Sequence, residues 1–417
     1  MHRRTIAVGL AIATALVAAP PASAAGARIA LPELSGPYPV GTTELHLVDP
    51  DRADPWVPGT RREVMTTITY PAAGPGPRAP WLTPGMAVAV DAVTSSPVFF
   101  DVPRGSVDWG ATRRQARTGA AVDRRRGDWP VVLFSPGLGS ARELNAGLTD
   151  DLASRGYVVV SLSHTHESAA VEFPGGRVEP SLMDDGDPTA MKTAIDARVA
   201  DTRFVLDQLA RLDRGDNPDA EHHPVPRGLA GALDLSRVGM FGHSYGGFTA
   251  GETMVQDRRI DAGVNVDGAM RSGADQPGEV VRQGLDRPFL LMGADFVDPE
   301  TGAKIEHSHL DRVLDPTWAD FWPRQRGWKR DVHLDGGTHY GFTDLQIAVP
   351  QLTALLPPAK RVELVGTISP TRSLAAQHDY LTAYFDLHLK GRPTRLFDGP
   401  SPPPPGRSPA LTVHSGR

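Results

Sequence analysis

A lone serine stands among glycines in Gly242-His243-Ser244-Tyr245-Gly246, directly after the apolar run RVGMFG (237 to 242) and before a stretch of helical length. A G-x-S-x-G between a strand and a helix predicts a sharp turn with strained backbone at the serine, where a side chain at either glycine would collide with neighbouring segments. The serine is then displayed as a nucleophile. A hydroxyl is weak in that role at its own pKa, so it needs a base within hydrogen-bond reach and an acid to orient that base. The expected chain order is serine, acid, histidine.

His339, in GGTHYGFTD just after the last expected strand, is the candidate base. His307, His309 and His333 also lie downstream; His333 falls inside a strand and the other two in a polar insertion, and all three read as surface or core histidines with no further role. For the acid, Asp267 ends AGVNVDG, whereas Asp295 and Asp298 follow FLLMGA. Spacing alone leaves both positions open. Negative charge developing on the substrate requires two backbone N–H groups. Their expected sources are Tyr245, the residue after the nucleophile, and Leu138 in the glycine-rich loop SPGLGS (135 to 140).

The elements that must hold these residues can be read from periodicity. GTTELHLV (41 to 48) and REVMTTITYPA (62 to 72) alternate as exposed or edge strands do. From Pro130 onward, VVLFS, YVVVSLS, RVGMFG, IDAGVNVDG, RPFLLMGA and RDVHLDGG read as strands separated by helix-length stretches. This is the pattern of an α/β domain with a mostly parallel sheet. One intervening helix carries Ile195, Val199, Thr202, Leu206 and Leu209 on a single face; another is expected to open on a Ser140/Glu143 capping box. Residues 73 to 128, rich in Pro, Gly and Arg, are expected to be loops and short pieces, with the basic run Arg113, Arg114, Arg117 and Arg124 to Arg126 a solvated face.

Composition removes several function classes. The 417 residues are 40% hydrophobic and 22% charged, with a formal net charge of -6, so no basic field recruits nucleic acid. With no cysteine there are neither disulfides nor thiolate metal sites. The start, MHRRTIAVGLAIATALVAAPPASAAG, has a basic head, an apolar run shorter than a bilayer span and an A-x-A site, which predicts a signal peptide (1 to 24) cleaved after Ala24 and a secreted product. No later segment is expected to cross a membrane. The tail from 399 to 417, with its SPPPPG, is expected to be disordered.

Taken together, LFSPGLGSAR, DLASRGYVVV, SHTHESA, GHSYGG and GVNVDGAM are similar, from about Pro130 to Asp344, to the plasma and intracellular type II branch of the platelet-activating factor acetylhydrolase family. The resemblance implies an α/β-hydrolase fold over 25 to 398, with insertions at about 73 to 128 and 299 to 329. It also implies Asp267 rather than Asp295 as the acid, places Leu138 on the family's oxyanion loop and puts Tyr245 where an aromatic donor is usual. The activity implied is hydrolysis of short-chain carboxylic esters, extending to the acetyl ester of platelet-activating-factor-like phospholipids, through an acyl-serine and without cofactor or metal. Cutinases, lipases and polyester hydrolases, which have similar elbows, form the alternative. A non-catalytic binder on the same scaffold is disfavoured because Ser244, Asp267 and His339 are all present.

His164, His166 and Glu167 in SHTHES could be read as metal ligands, but a further well-placed ligand is missing. The resemblance puts this turn near the rim of the site, which makes His164 a candidate substrate contact. In DPTWADFWPRQRGWKRD (315 to 331), Trp318 and Trp322 have two readings: core residues seating a helix, or part of a lid that contacts substrate at a lipid or polymer interface.

Overall fold

The computed structural model describes residues 26–97, 99–298, 301–398 and 411–414. The expected signal peptide lies outside them. Twelve strands form one sheet: β1 (Val40–Ala53), β2 (Arg61–Pro71), β3 (Arg78–Pro80), β4 (Arg113–Thr118), β5 (Trp129–Ser135), β6 (Val158–Leu162), β7 (Leu233–His243), β8 (Ala262–Val266), β9 (Phe289–Val297), β10 (Lys304–Glu306), β11 (Lys329–Leu334) and β12 (Leu411–His414). Their spatial order is β12-β11-β9-β8-β7-β5-β6-β2-β1-β4-β3, with β10 pairing β9. From β6 to β11 the neighbours run parallel, while β2 joins β6, and β12 joins β11, antiparallel.

The central strands are apolar throughout because helices cover both faces. Alternate residues then build two separate cores. Val131 and Leu133 of β5, Val158 and Val160 of β6 and Met240 of β7 pack with Ile195, Leu206 and Leu209 of the helix Pro188–Asp213 and with Phe248 of the helix Tyr245–Gln256. Their neighbours in sequence, Val132, Phe134, Val159 and Phe241, face Leu148 and Leu152 of the helix Ala146–Ser154 and Leu381, Tyr384 and Phe385 of the helix Pro370–Leu389. In chain order we call the helices Ala146–Ser154, Pro188–Asp213 and Tyr245–Gln256 α1, α2 and α3. The helix Pro316–Phe321 is α4 and Pro370–Leu389 is α5. Parallel strands end together, so the loops that follow β5, β7, β8 and β11, which carry the residues singled out above, emerge at one edge of the sheet.

Four expectations need correction. Residues 73 to 128 hold β3, the helix Pro84–Thr94 and β4, and they bury Trp81 and Trp109 against Leu345 and Leu352 in a third apolar cluster. Arg114 is buried and pairs with Asp150, so that part of the basic run is not a solvated face. The Ser140/Glu143 capping box does not form: a 3₁₀ turn at Arg142–Asn145 precedes α1, and Glu143 is buried beside Arg142 at 3.1 Å. Within the tail, Leu411–His414 pairs with β11, Leu411 falling opposite Leu334 in the core; the remainder, 399 to 410 and 415 to 417, lies outside the described residues.

Candidate active site

Ser244 follows β7 and precedes α3 with φ 55 and ψ -125, a conformation non-glycine residues seldom adopt. The flanking glycines are dictated by contact distance. A Cβ on Gly242 would lie 2.1 Å from the backbone of Gly246, and one on Gly246 would lie 1.9 Å from the carbonyl oxygen of Ser135. The Ser244 N–H donates to Val266 O at 2.7 Å, fastening the turn to β8.

That strand delivers Asp267, also at positive φ (58), at its end. His339 Nδ1 donates to Asp267 Oδ2 at 2.6 Å, which leaves Nε2 with the lone pair a base requires. The His339 side chain is 41% exposed, whereas that of Asp267 is buried, so the imidazole is open to solvent and the carboxylate is not. The base loop is tied to the elbow through its backbone: His243 Nε2 donates to His339 O at 2.9 Å, with the two rings 4.5 Å apart. Burial holds the His243 imidazole down at about 3, hence neutral, and suited to that uncharged bond.

The second oxygen of Asp267 is also occupied. Oδ1 accepts from the Ala294 N–H at 3.0 Å and from His307 Nδ1 at 2.8 Å. His307 and His309 are both buried, as core histidines, His309 against Asp331 and His307 against Asp267, a contact the sequence reading did not anticipate. Sequence offered one signal for His307, its place in the insertion after β9, but nothing that gave the direction of its ring. Hydrogen bonding to two imidazoles holds the Asp267 carboxyl well below the usual carboxylate range despite its burial.

On the other side of Ser244 runs the loop carrying Leu138. A Cβ built on Gly137 would stand 3.2 Å from Ser244 Cβ, so the loop passes directly against Ser244. Its carbonyls face the opposite way. Arg198 of α2, fully buried, donates from Nη1 to Pro136 O at 2.7 Å and from Nη2 to Gly137 O at 3.3 Å. In a trans peptide the C=O and the following N–H are antiparallel, so holding Gly137 O on Arg198 turns the Leu138 N–H away from it. Tyr245, in the first turn of α3, has an N–H without an intrahelical acceptor. Its phenol donates to Met191 O at 2.7 Å.

Other expected residues sit elsewhere. Asp295 pairs with His333 Nε2 at 2.7 Å and Lys304 at 2.9 Å, and Asp298 accepts from the Thr301 N–H at 2.8 Å. His164 is fully buried between Ser135 Oγ (2.9 Å) and Asp201 (3.1 Å), beneath the oxyanion loop, so it is not a substrate contact. His166 turns to a different carboxylate, Asp54, at 3.2 Å, which separates the two imidazoles a metal would have to share. Trp318 and Trp322 are core residues rather than a lid: Trp318 stacks on His307 at 4.0 Å and donates to Gly268 O at 2.8 Å, and Trp322 stacks on His309 at 3.9 Å.

Comparison with known proteins matches residues 24–390 to the family described as platelet-activating factor acetylhydrolase, isoform II. The chain belongs to that family. With its relatives it is a carboxylic ester hydrolase, on the α/β-hydrolase fold described above. A probable 1-alkyl-2-acetylglycerophosphocholine esterase of Arthroderma benhamiae is 28% identical over 94% of this chain and 96% of its own length. The platelet-activating factor acetylhydrolase of Cavia porcellus is 23% identical, over 54% of this chain and 50% of that protein. Among solved structures, a ferulic acid esterase from Streptomyces cinnamoneus superposes with TM-score 0.69 at 33% identity, covering 94% of this chain and all of the other.

Proposed function

We propose that this family member is a serine esterase in which Ser244, His339 and Asp267 are nucleophile, base and acid. Ser244 Oγ attacks the ester carbonyl while His339 Nε2 takes its proton. The tetrahedral oxyanion is received by the N–H groups of Leu138 and Tyr245. His339 then protonates the leaving alcohol, and water, activated by the same imidazole, releases the acid from acyl-Ser244. The observation that carries the reading is the Asp267–His339 bond of 2.6 Å beside a serine held at positive φ on a strand-to-helix turn. Labelling with a fluorophosphonate tests it: wild type should be modified at Ser244 and the Ser244→Ala variant should neither label nor turn over. Modification at another residue would reject the assignment.

For substrate, we propose a short-chain acyl ester, with the acetyl ester of an alkyl-acetyl-glycerophosphocholine as the leading case. Support comes from the esterase of that name matching nearly the whole chain. A second reading, an aromatic acyl ester, is favoured by the ferulic acid esterase match over the same extent. The Phe99 and Tyr340 rings, 5.2 Å apart beside His339, offer an aromatic surface next to the base. A panel running from acetyl to palmitoyl, with a feruloyl ester, a phospholipid and a polyester, separates these readings and the lipase- or cutinase-like one. We also propose export, on the signal-peptide pattern of residues 1 to 24. Among the described residues no helix is long and apolar enough to cross a membrane.

A further inference from the structure

His307 comes from the segment between β10 and α4, far from either the elbow or the base loop in sequence, yet it meets the same carboxylate as His339. Its two ring nitrogens face two different acids: Nδ1 lies 2.8 Å from Asp267 Oδ1 and Nε2 lies 3.2 Å from Asp315 Oδ2. A neutral imidazole has one N–H and one lone pair, and a lone pair directed at a carboxylate oxygen is repelled. Both contacts are attractive only when both nitrogens carry protons. The Trp318 ring stacked 4.0 Å from the imidazole, at an interplanar angle of 26°, also favours a cation.

The surrounding bonds fix this arrangement. Asp315 Oδ2 also accepts from Thr317 Oγ1 at 2.7 Å, and its Oδ1 accepts from the Thr317 N–H at 3.1 Å as it caps α4. Thr317 Oγ1 in turn accepts from the Met270 N–H at 2.9 Å, and Trp318 Nε1 donates to Gly268 O. The insertion thus grips the turn that follows Asp267 at three points, of which His307 is the charged one.

We propose that His307 is a positively charged positioning residue, which fixes Asp267 and offsets part of its negative charge as felt by His339. The inference rests on the triad proposed above. Its consequence concerns the base. A bare carboxylate attracts the imidazolium form of His339; a second cation on the same carboxylate weakens that attraction. The titratable and charged groups facing this assembly are Asp267 and Asp315 around His307, and Asp267, His243 and Tyr340 around His339. Burial alone would lower a histidine's pKa; the two carboxylates outweigh it and raise His307 to about 10.

The test is the pH profile of kcat/KM in His307→Asn, whose amide nitrogen can keep the Nδ1 bond to Asp267 while removing the charge. The acid limb should move to higher pH by about one unit, the effect expected of one charge a few ångströms away. Asp315→Asn, which removes a negative charge and leaves His307 bonded to Asp267, should not move the limb upward. Fluorophosphonate labelling of Ser244 in each variant verifies that the nucleophile is still in place. Uniform loss of activity with an unmoved limb would reduce His307 to a structural role and overturn the inference. If the variants do not fold, ¹⁵N chemical shifts of the wild-type histidines decide it: His307 should be an imidazolium at pH 8, and a neutral ring there overturns the proposal. Turnover that persists in Ser244→Ala defeats the triad itself, by a readout independent of the limb.

Discussion

The Arg198 guanidinium lies over the Tyr245 ring, its carbon 5.3 Å from the centre of the phenol ring. The same guanidinium holds the carbonyls of Pro136 and Gly137, so one buried cation supports both of the residues proposed to donate to the oxyanion. Lysine keeps the charge opposite Glu167 but has no planar fork to span two carbonyls. Arg198→Lys should therefore lower kcat by roughly 10-fold to 100-fold, approaching the loss seen when an oxyanion donor is removed, with KM little changed. Steady-state kinetics checks this, and a rise in KM at constant kcat would contradict it. Arg198→Met should also unfold more easily, by about 3–5 kcal/mol, because Glu167 is left buried without its partner.

The two candidate acids are separated by their partners. Asp267→Asn keeps the size of the side chain but removes the charge that orients His339, and the expected loss in kcat is on the order of 10⁴. Asp295→Asn breaks the contacts to His333 and Lys304, neither of which touches His339, so kcat should stay within about 3-fold while melting temperature falls. The reverse ranking of kcat losses would move the acid to the end of β9.

Trp318 gives a third expectation, opposite to that of a lid. It is fully buried, stacks on His307 and donates to Gly268 O. Trp318→Ala should cost about 3–5 kcal/mol of stability and lower kcat through the Asp267 turn. The ratio of rates on acetyl and longer acyl esters should not change. A shifted acyl-length profile at unchanged melting temperature would return this segment to the substrate surface.

What was legible in the sequence was what local pattern encodes. The strand, helix, strand alternation from Pro130 and the glycines around Ser244 are consequences of burial on both faces and of contact distances of about 2 Å, and both leave marks at short range. The position of His339 after β11 follows from the same order of elements. The contact of His307 with Asp267 was missed because its partner lies 40 residues away and its insertion has no period of its own. His164 was misread for the related reason that a turn near the catalytic edge can face inward as easily as outward; here Ser135 and Asp201 take both ring nitrogens. Arg114 looked solvated in a run of arginines, yet β4 turns alternate residues inward and delivers it to Asp150.

The histidines also predict how stability depends on pH. His164 and His243 are held neutral by burial, at about 4 and about 3, while in the unfolded chain each takes up a proton near 6.5. A depressed histidine pKa means the unfolded state binds protons first, so stability falls as pH drops from about 6.5 towards 4. His307 works in the other direction. Its folded pKa, raised to about 10, gives a contribution that is complete below about 6.5 and is lost as pH climbs from there to 10. The melting temperature of the wild type should therefore peak near pH 6 to 7, roughly where neither set opposes folding. The two slopes should respond to different residues: His243→Gln should flatten part of the acid side, His164 keeping the rest, and His307→Asn should flatten the alkaline side while lowering the peak. Melting curves from pH 4 to 10 on the three proteins check this. An alkaline slope equally steep in His307→Asn would mean that the histidine is neutral in the folded protein, with Asp267 or Asp315 carrying the proton instead.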